Sequence, residues 1–173
     1  RPSVVRFATP PAREIPQSGA GERTFTFSPH KRSFIFSDLA TMLHQRIILT
    51  GASSGIGAIM AREYGKQGCR LLLVARRDQQ LESTAAEVVA AGGQAQILVA
   101  DVAAPETAAT AVKLAMETWG GIDLVIANAG ISNPQWFDSF DATDAERTMQ
   151  VNYFSVARML EAVIPVFRNQ GSG

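Results

Sequence analysis

The chain has 173 residues, and its sixteen basic and sixteen acidic side chains leave a formal net charge of zero at pH 7. This balance gives no sign of a nucleic-acid or membrane-surface partner. The single cysteine, Cys69, rules out a disulfide framework, and no His/Cys cluster has the spacing of metal ligands. No apolar stretch reaches the roughly eighteen residues of a membrane-spanning helix. We therefore expect no metal, nucleic-acid or membrane partner, and we interpret Cys69 as a small core residue.

The first 41 residues differ in composition from the rest of the chain. They contain five of the eight prolines and show little apolar periodicity. Such a segment buries too little apolar surface to offset its ordering entropy, so we predict mostly disorder over residues 1–41, with local order at 34–36, and a folded domain over 42–173. Two interpretations stay open. The segment is either a transit peptide or, as we favour, translated sequence upstream of a start at Met42.

A glycine-rich turn follows the first predicted strand, residues 46–50. The apolar run ends at Thr50, and Gly51, Gly55 and Gly57 follow with the spacing Gly-x-x-x-Gly-x-Gly. Glycine lets the backbone approach a ligand closely, and the start of a helix attracts phosphate. The pattern lacks the lysine of an ATP-binding loop and differs from the common dinucleotide fingerprint. We predict a nucleotide-phosphate cradle; the alternative is a flexible turn.

The first helix is predicted over residues 55–67 and the second strand over 70–75. An apolar stripe on that helix is expected to face the core: Ile56, Ile59, Met60 and Tyr64.

Two arginines, Arg76 and Arg77, stand directly after the second strand, where a dinucleotide fold faces the adenosine ribose. A carboxylate there selects NAD, whereas an arginine accommodates the 2′-phosphate of NADP. A guanidinium offers phosphate a fork of donors, so we predict NADP(H) rather than NAD. The alternative is that both arginines only solvate a loop. Asp78 is predicted to cap the next helix.

The remaining pattern continues to alternate strands and helices. Helices are predicted over 78–91 and 105–119, strands over 94–100 and 122–127, and a last long helix from Ala142 with Thr143 as its N-cap. That helix is apolar on nearly all sides, so one face should pack on the sheet and the other on a partner. Trp119 is expected to serve packing.

Two segments resemble loops of the short-chain dehydrogenase/reductase family. They are Thr50-Gly51-x-x-x-Gly55-Ile56-Gly57 and, after the fourth strand, Ile126-Ala127-Asn128-Ala129-Gly130, where Ala127 replaces an asparagine. The resemblance covers about residues 42–173. It implies an α/β fold, a Rossmann-type doubly wound parallel sheet with strand order 3-2-1-4, ending after the fourth strand and the long helix that follows it.

The resemblance also assigns roles to individual residues. Asp101 and Val102 would lie beside adenine, although from the sequence alone Asp101 serves equally well as a turn residue. Asn152 would belong to a catalytic proton relay, the alternative being a satisfied core asparagine. Trp136 and Phe137 either edge the substrate pocket or anchor their loop on the core. The full cofactor-binding set is Thr50, Gly51, Ser53, Ser54, Gly55, Ile56, Gly57, Arg76, Arg77, Asp101, Val102, Asn128, Ala129 and Gly130.

The family's catalytic serine and Tyr-x-x-x-Lys motif have no counterpart, because Tyr64 and Tyr153 are followed four residues later by Gly68 and Ala157. We therefore expect this chain to be the N-terminal part of an NADP-dependent oxidoreductase that acts on a small-molecule carbonyl or secondary alcohol. We expect the chain by itself to be inactive. The whole protein would be cytoplasmic and homo-oligomeric through the 143–169 helix. The alternatives are a dinucleotide-binding module and an inactive truncated fragment.

Overall fold

The computed structural model of the protein describes residues 4–7 and 45–173. Strands and helices alternate along the chain. In order they are β1 (Val4–Phe7), β2 (Arg46–Thr50), α1 (Gly55–Lys66), β3 (Arg70–Ala75), α2 (Asp78–Ala91), β4 (Gln94–Val99), α3 (Thr107–Trp119), β5 (Leu124–Ile126), α4 (Ala142–Met149), a π-helix (Gln150–Phe154) and α5 (Ser155–Gln170).

The sheet has the order β1-β4-β3-β2-β5. Strands β4, β3, β2 and β5 are parallel, with Thr50 opposite Val74 and Ala75 opposite Val99. This confirms the predicted α/β fold with parallel order 3-2-1-4. Because the strands run in the same direction, their carboxyl ends meet at one edge of the sheet, where ligands of such folds bind.

Strand β1 lies antiparallel to β4, with Val4 opposite Val99 and Phe7 opposite Gln96. The disorder predicted for these four residues is therefore wrong. The outer edge of β4 would otherwise leave unpaired N–H and C=O groups, and an extended segment that contains β-branched residues pairs with such an edge. The rest of the segment over residues 1–41, including 34–36, lies outside the described residues.

The core has two layers, one on each face of the sheet, because successive strand residues point to opposite sides. This explains why β2 and β3 read as continuous apolar runs. One layer packs under α1 and α2, and the other under α3 and α5; Cys69 is fully buried in the first and Trp119 half-buried against the second, as predicted. Strand residues of the first layer are Ile47, Leu49, Leu71 and Leu73, and those of the second are Ile48, Leu72, Val74 and Leu98.

Helix α1 does not bury the predicted stripe. Ile56 is 71% exposed and Ile59 53% exposed, whereas Met60 and Tyr64 are half-buried against the core. The helix buries its small residues instead, Gly57, Ala58, Ala61 and Gly65. A Cβ added at Gly65 would lie 3.1 Å from Val88 Cα, so the close approach of α1 to α2 excludes larger side chains from this face.

Two predicted N-caps are also wrong. Arg77 holds the N-cap position of α2, and Asp78 is the first helical residue. Asp141, not Thr143, caps α4, because its carboxylate accepts a hydrogen bond from Thr143 N at 2.8 Å. An N-cap side chain accepts a hydrogen bond from the backbone N–H two or three residues later, so the capping residue must precede the first turn of the helix.

The predicted long helix is divided into α4, the π-helix and α5. Met159 and Val163 of α5 are buried against the second core layer, whereas Tyr153, Leu160 and Ile164 are exposed. The apolar helix surface therefore has a sheet-facing side and an open side. The homo-oligomer predicted through this helix stays a prediction.

An ion pair joins the start of β2 to the residue before β5. Arg46 donates to Asp123 through Nε at 2.9 Å and through Nη2 at 2.5 Å, and the Arg46 backbone N–H donates to the same carboxylate at 2.8 Å. These hydrogen bonds hold the pKa of Asp123 below its usual value and raise the pKa of Arg46. The carboxylate thus stabilises the central strand pairing as long as it is ionised.

We expect Asp123→Asn to lower the free energy of unfolding at pH 7 by about 1–2 kcal/mol. Because the folded-state pKa is depressed, the stabilisation is present above the usual aspartate value of 3.8 and is lost as the pH falls through the lower folded value. Urea unfolding of both proteins from pH 7 to pH 3 measures this difference. Glu63→Gln, which removes the exposed ion pair with Lys66, is the control. A difference of the same size at pH 3 and pH 7 would refute the assignment.

Candidate nucleotide-binding site

A cavity of about 320 Å³ lies at the carboxyl edge of the parallel strands. Its walls come from the glycine-rich loop, the residues after β3 and β4, and the segment after β5. All the predicted cofactor-binding residues except Thr50 and Gly55 line it: Gly51, Ser53, Ser54, Ile56, Gly57, Arg76, Arg77, Asp101, Val102, Asn128, Ala129 and Gly130. The fold therefore brings together predicted residues that are up to 79 positions apart in the sequence.

Four further lining residues were not predicted. Ala75 and Ala100 stand at the ends of β3 and β4, Ile131 follows Gly130, and Val151 lies in the π-helix. For the first two, a signal was present in the sequence: any residue at the carboxyl end of a parallel strand faces this edge. No local pattern marks Val151, since only the packing of the last helix brings it here.

Glycine stands at the three positions of the loop for different structural reasons. Gly51 has a φ of +67°, which favours glycine. A Cβ at Gly57 would lie 2.2 Å from the Gly51 carbonyl oxygen and 2.7 Å from Asn128 Nδ2, so only glycine fits. Gly55 has a φ of +56° and open space where a Cβ would lie. The loop therefore packs tightly against its neighbours at Gly51 and Gly57, whereas a ligand can approach the backbone at Gly55.

Asn128 joins the ends of two neighbouring strands. Its amide nitrogen donates to the carbonyl oxygens of Thr50 at 3.1 Å and Gly51 at 3.4 Å. In the opposite direction, the Ala129 N–H donates to the Thr50 hydroxyl at 3.0 Å. The Asn128 amide thus bridges the ends of β2 and β5. Thr50 does not line the cavity, and its contribution is to hold both loops in place.

The two arginines after β3 contact cavity residues. Arg77 donates to the Ser53 hydroxyl from Nη2 at 3.1 Å and from Nε at 3.3 Å, and it also donates to the Ser54 hydroxyl. Arg76 lies 3.6 Å from Asp101 Oδ2, measured from Nη1. Both guanidinium groups are exposed and border the same cavity. They place positive charge beside the glycine loop.

Asp101 both stabilises a turn and lines the cavity. Its Oδ1 accepts a hydrogen bond from Ala103 N at 3.0 Å, and its Oδ2 lies 3.9 Å from Arg147 Nη2 as well as near Arg76. Both interpretations of this residue are therefore compatible with its geometry. The turn uses one carboxylate oxygen and leaves the other to the arginines.

Asn152 is exposed, so the interpretation as a core asparagine is wrong. Its side chain pairs with the backbone of Ile131, with Oδ1 accepting from N at 2.9 Å and Nδ2 donating to O at 2.8 Å. It lies in the π-helix, a distortion found frequently at functional sites. Asn152 thus holds a cavity wall residue without lining the cavity itself.

The aromatic side chains of the loop after Ile131 do not anchor it. Trp136 is 78% exposed and Phe137 97% exposed, so the core-anchor interpretation is wrong. The loop is closed instead by Gln135, whose amide donates to Asp141 O at 3.0 Å and accepts from Asp141 N at 2.6 Å. The predicted contact of these aromatics with substrate stays a prediction.

Over residues 4–7 and 45–173, no group of three or more His, Cys, Asp or Glu side chains could hold a metal ion. In the same part of the chain, no helix combines the length and apolar character needed to cross a membrane.

Comparison with known proteins gives consistent results. The family model described as short chain dehydrogenase matches residues 45–173. A fatty acyl-CoA reductase of Mycobacterium tuberculosis is 36% identical over 131 residues, which are 75% of this chain and 45% of the reductase.

Two solved structures are similar in fold and sequence. One is an alcohol dehydrogenase from the archaeon Thermococcus sibiricus complexed with 5-hydroxy-NADP, with a TM-score of 0.68 and 30% identity over 73% of this chain and 54% of that one. The other is a metagenomic short-chain oxidoreductase in complex with NADP, with a TM-score of 0.70 and 29% identity over 76% of this chain and 61% of that one. The chain spans about half the length of the relatives it matches.

We expect Gly57→Ala to destabilise the protein by at least about 2 kcal/mol, because the new methyl group would overlap the Gly51 carbonyl oxygen. Gly55→Ala is the matched variant in the same loop. It meets open space and should cost only about 1 kcal/mol from its left-handed backbone. Urea unfolding followed by circular dichroism measures both. Equal midpoints for the two variants would contradict the packing argument.

Proposed function

The chain belongs to the short-chain dehydrogenase family, and we propose that it forms the NADP-binding part of an oxidoreductase acting on a carbonyl or secondary alcohol. One observation carries the proposal: a glycine loop that tolerates no side chain at Gly57 and a pair of arginines border the same cavity. The first suits a pyrophosphate and the second a phosphorylated ribose.

The residues present fit the pyrophosphate of a dinucleotide. Helix α1 begins at Gly55, and its first turn contains no acidic residue. Its N-terminal dipole therefore keeps a positive end beside the loop. The open outer side of Gly55 lets phosphate approach the backbone closely. Ser53, Ser54, Ile56 and Gly57 complete this part of the site.

The residues after β3 and β4 fit the adenosine end. Arg76 and Arg77 would bind the 2′-phosphate, each leaving its present neutral or anionic partner for a dianion. Asp101 and Val102 would border the adenine ring. The complexes with 5-hydroxy-NADP and NADP among the similar structures support this choice over NAD.

The segment after β5 would border the nicotinamide end. Asn128, Ala129 and Gly130 form a small, rigid wall, and Asn152 holds the adjacent Ile131 in place. A bound nicotinamide would exchange a hydride with the substrate, and these residues would orient its ring and limit access of water. Asn152 would also serve the proton relay that the family resemblance implies.

Binding without catalysis is the second candidate for this chain taken by itself, because its 173 residues contain no Tyr-x-x-x-Lys. The whole protein would pair through the exposed side of α5, where Leu160 and Ile164 are open. A cytoplasmic location belongs to the same proposal.

A direct test is fluorescence titration of the full chain with NADPH and NADH. We expect saturable binding with preference for NADPH, and the double variant Arg76→Ala/Arg77→Ala should weaken NADPH binding at least tenfold with little effect on NADH, since two charge-assisted contacts are lost. Arg62→Ala, which removes an exposed arginine from an ion pair with Glu87, is the control. Equal affinities for the two cofactors, unchanged in the double variant, would argue against NADP selection.

A second test separates binding from catalysis. We expect the purified chain to bind NADPH but to show no NADPH oxidation with aldehyde or ketone substrates, because the acid of the family's reaction is missing from its sequence. NADPH oxidation measured at 340 nm that persists through purification and is lost in Gly55→Asp would overturn this expectation.

A further inference from the structure

We propose that Arg6 of strand β1 is a specificity-determining positioning residue, which neutralises the acidic start of α2 and so strengthens the preference of the neighbouring site for a 2′-phosphate. This inference rests on the proposed NADP-binding function. Arg6 lies outside residues 45–173, the range that the family model matches. It is therefore not part of the sequence that the family model describes.

Arg6 reaches two carboxylates on one face of α2. Its Nη2 lies 3.5 Å from Asp78 Oδ2, and its Nη1 forms an ion pair with Glu82 Oε1. Asp78 and Glu82 are four residues apart, so their side chains share a helix face. One guanidinium thus offsets part of the negative charge of both groups.

Asp78 is next to the proposed phosphate site. It directly follows Arg77, which lines the cavity and binds the loop hydroxyls of Ser53 and Ser54. Its Oδ1 accepts no hydrogen bond from the residues that the structure describes. Without Arg6, this carboxylate would have no ion-pair partner among the described residues, and its charge would repel a phosphate bound at Arg77. Pairing with Arg6 reduces that repulsion.

The position of Arg6 is set by main-chain pairing and not only by its ion pairs. Strand β1 pairs with β4 over four residues, which places Arg6 opposite Ile97. The strand therefore holds the guanidinium near α2 before any ligand binds, which lowers the entropy lost on forming the pairs.

The test compares NADPH and NADH affinities of the full chain and of Arg6→Glu by fluorescence titration. We expect the NADPH-to-NADH affinity ratio to fall about fivefold, with NADH affinity nearly unchanged, because only NADPH carries the additional phosphate. The effect should shrink at high salt, since the groups are exposed. Arg62→Glu disrupts a comparable pair with Glu87, nine residues farther along α2 than Asp78 and so about 13 Å away, and should leave the ratio unchanged.

A rescue variant separates charge from folding. Arg6→Glu combined with Asp78→Asn should recover part of the lost ratio, because the second substitution removes one of the two units of negative charge that the first adds, whereas a general disturbance of the sheet edge would not be reversed. The unfolding temperatures of all variants are measured in parallel. A wild-type ratio in Arg6→Glu, or no recovery in the combined variant, overturns the inference while the proposed function stands. Absence of saturable NADPH binding by the wild-type chain overturns the proposed function and this inference with it.

Discussion

The hydrogen bonds between Asn128 and the end of β2 determine the geometry of the whole site. The Asn128 amide donates to the Thr50 and Gly51 carbonyl oxygens, and the Thr50 hydroxyl accepts from Ala129. These contacts hold the glycine loop and the segment after β5 side by side, with Gly57 packed against Gly51 beneath them. Two loops that are distant in sequence thereby become one wall. Without this contact, each would be an ordinary turn at a strand end.

Charge is distributed around that wall in a way that suits an anionic ligand. Arg77 is held by serine hydroxyls, and Arg76 and Arg147 by the single carboxylate of Asp101. These partners keep the arginines near the cavity without enclosing them. A phosphate bound as proposed would replace these contacts of the arginine side chains.

The short strand β1 and the exposed aromatic loop mark the two ends of this edge of the molecule. Strand β1 covers the outer edge of β4, which removes a row of unpaired backbone groups. At the other end, Trp136 and Phe137 remain exposed close to Ile131. The edge of β4 is thus covered by a paired strand, whereas the loop after Ile131 exposes aromatic side chains.

The residue patterns by themselves determined the four strands, the glycine loop and the two arginines, and the family resemblance implied the strand order and the rest of the predicted cavity lining. Apolar runs that end in glycine or small polar residues are local signals, and parallel strands necessarily bring their carboxyl ends to one edge. The tertiary structure alone decided which face of α1 is buried, that Asn152 holds Ile131, and that Arg6 meets Asp78 across 72 residues. Local patterns could not predict these features, because each depends on how closely two elements approach each other in the fold. The close packing of α1 against α2 buries Gly65 and leaves the larger Ile59 exposed. Ion pairs form wherever the fold brings opposite charges together.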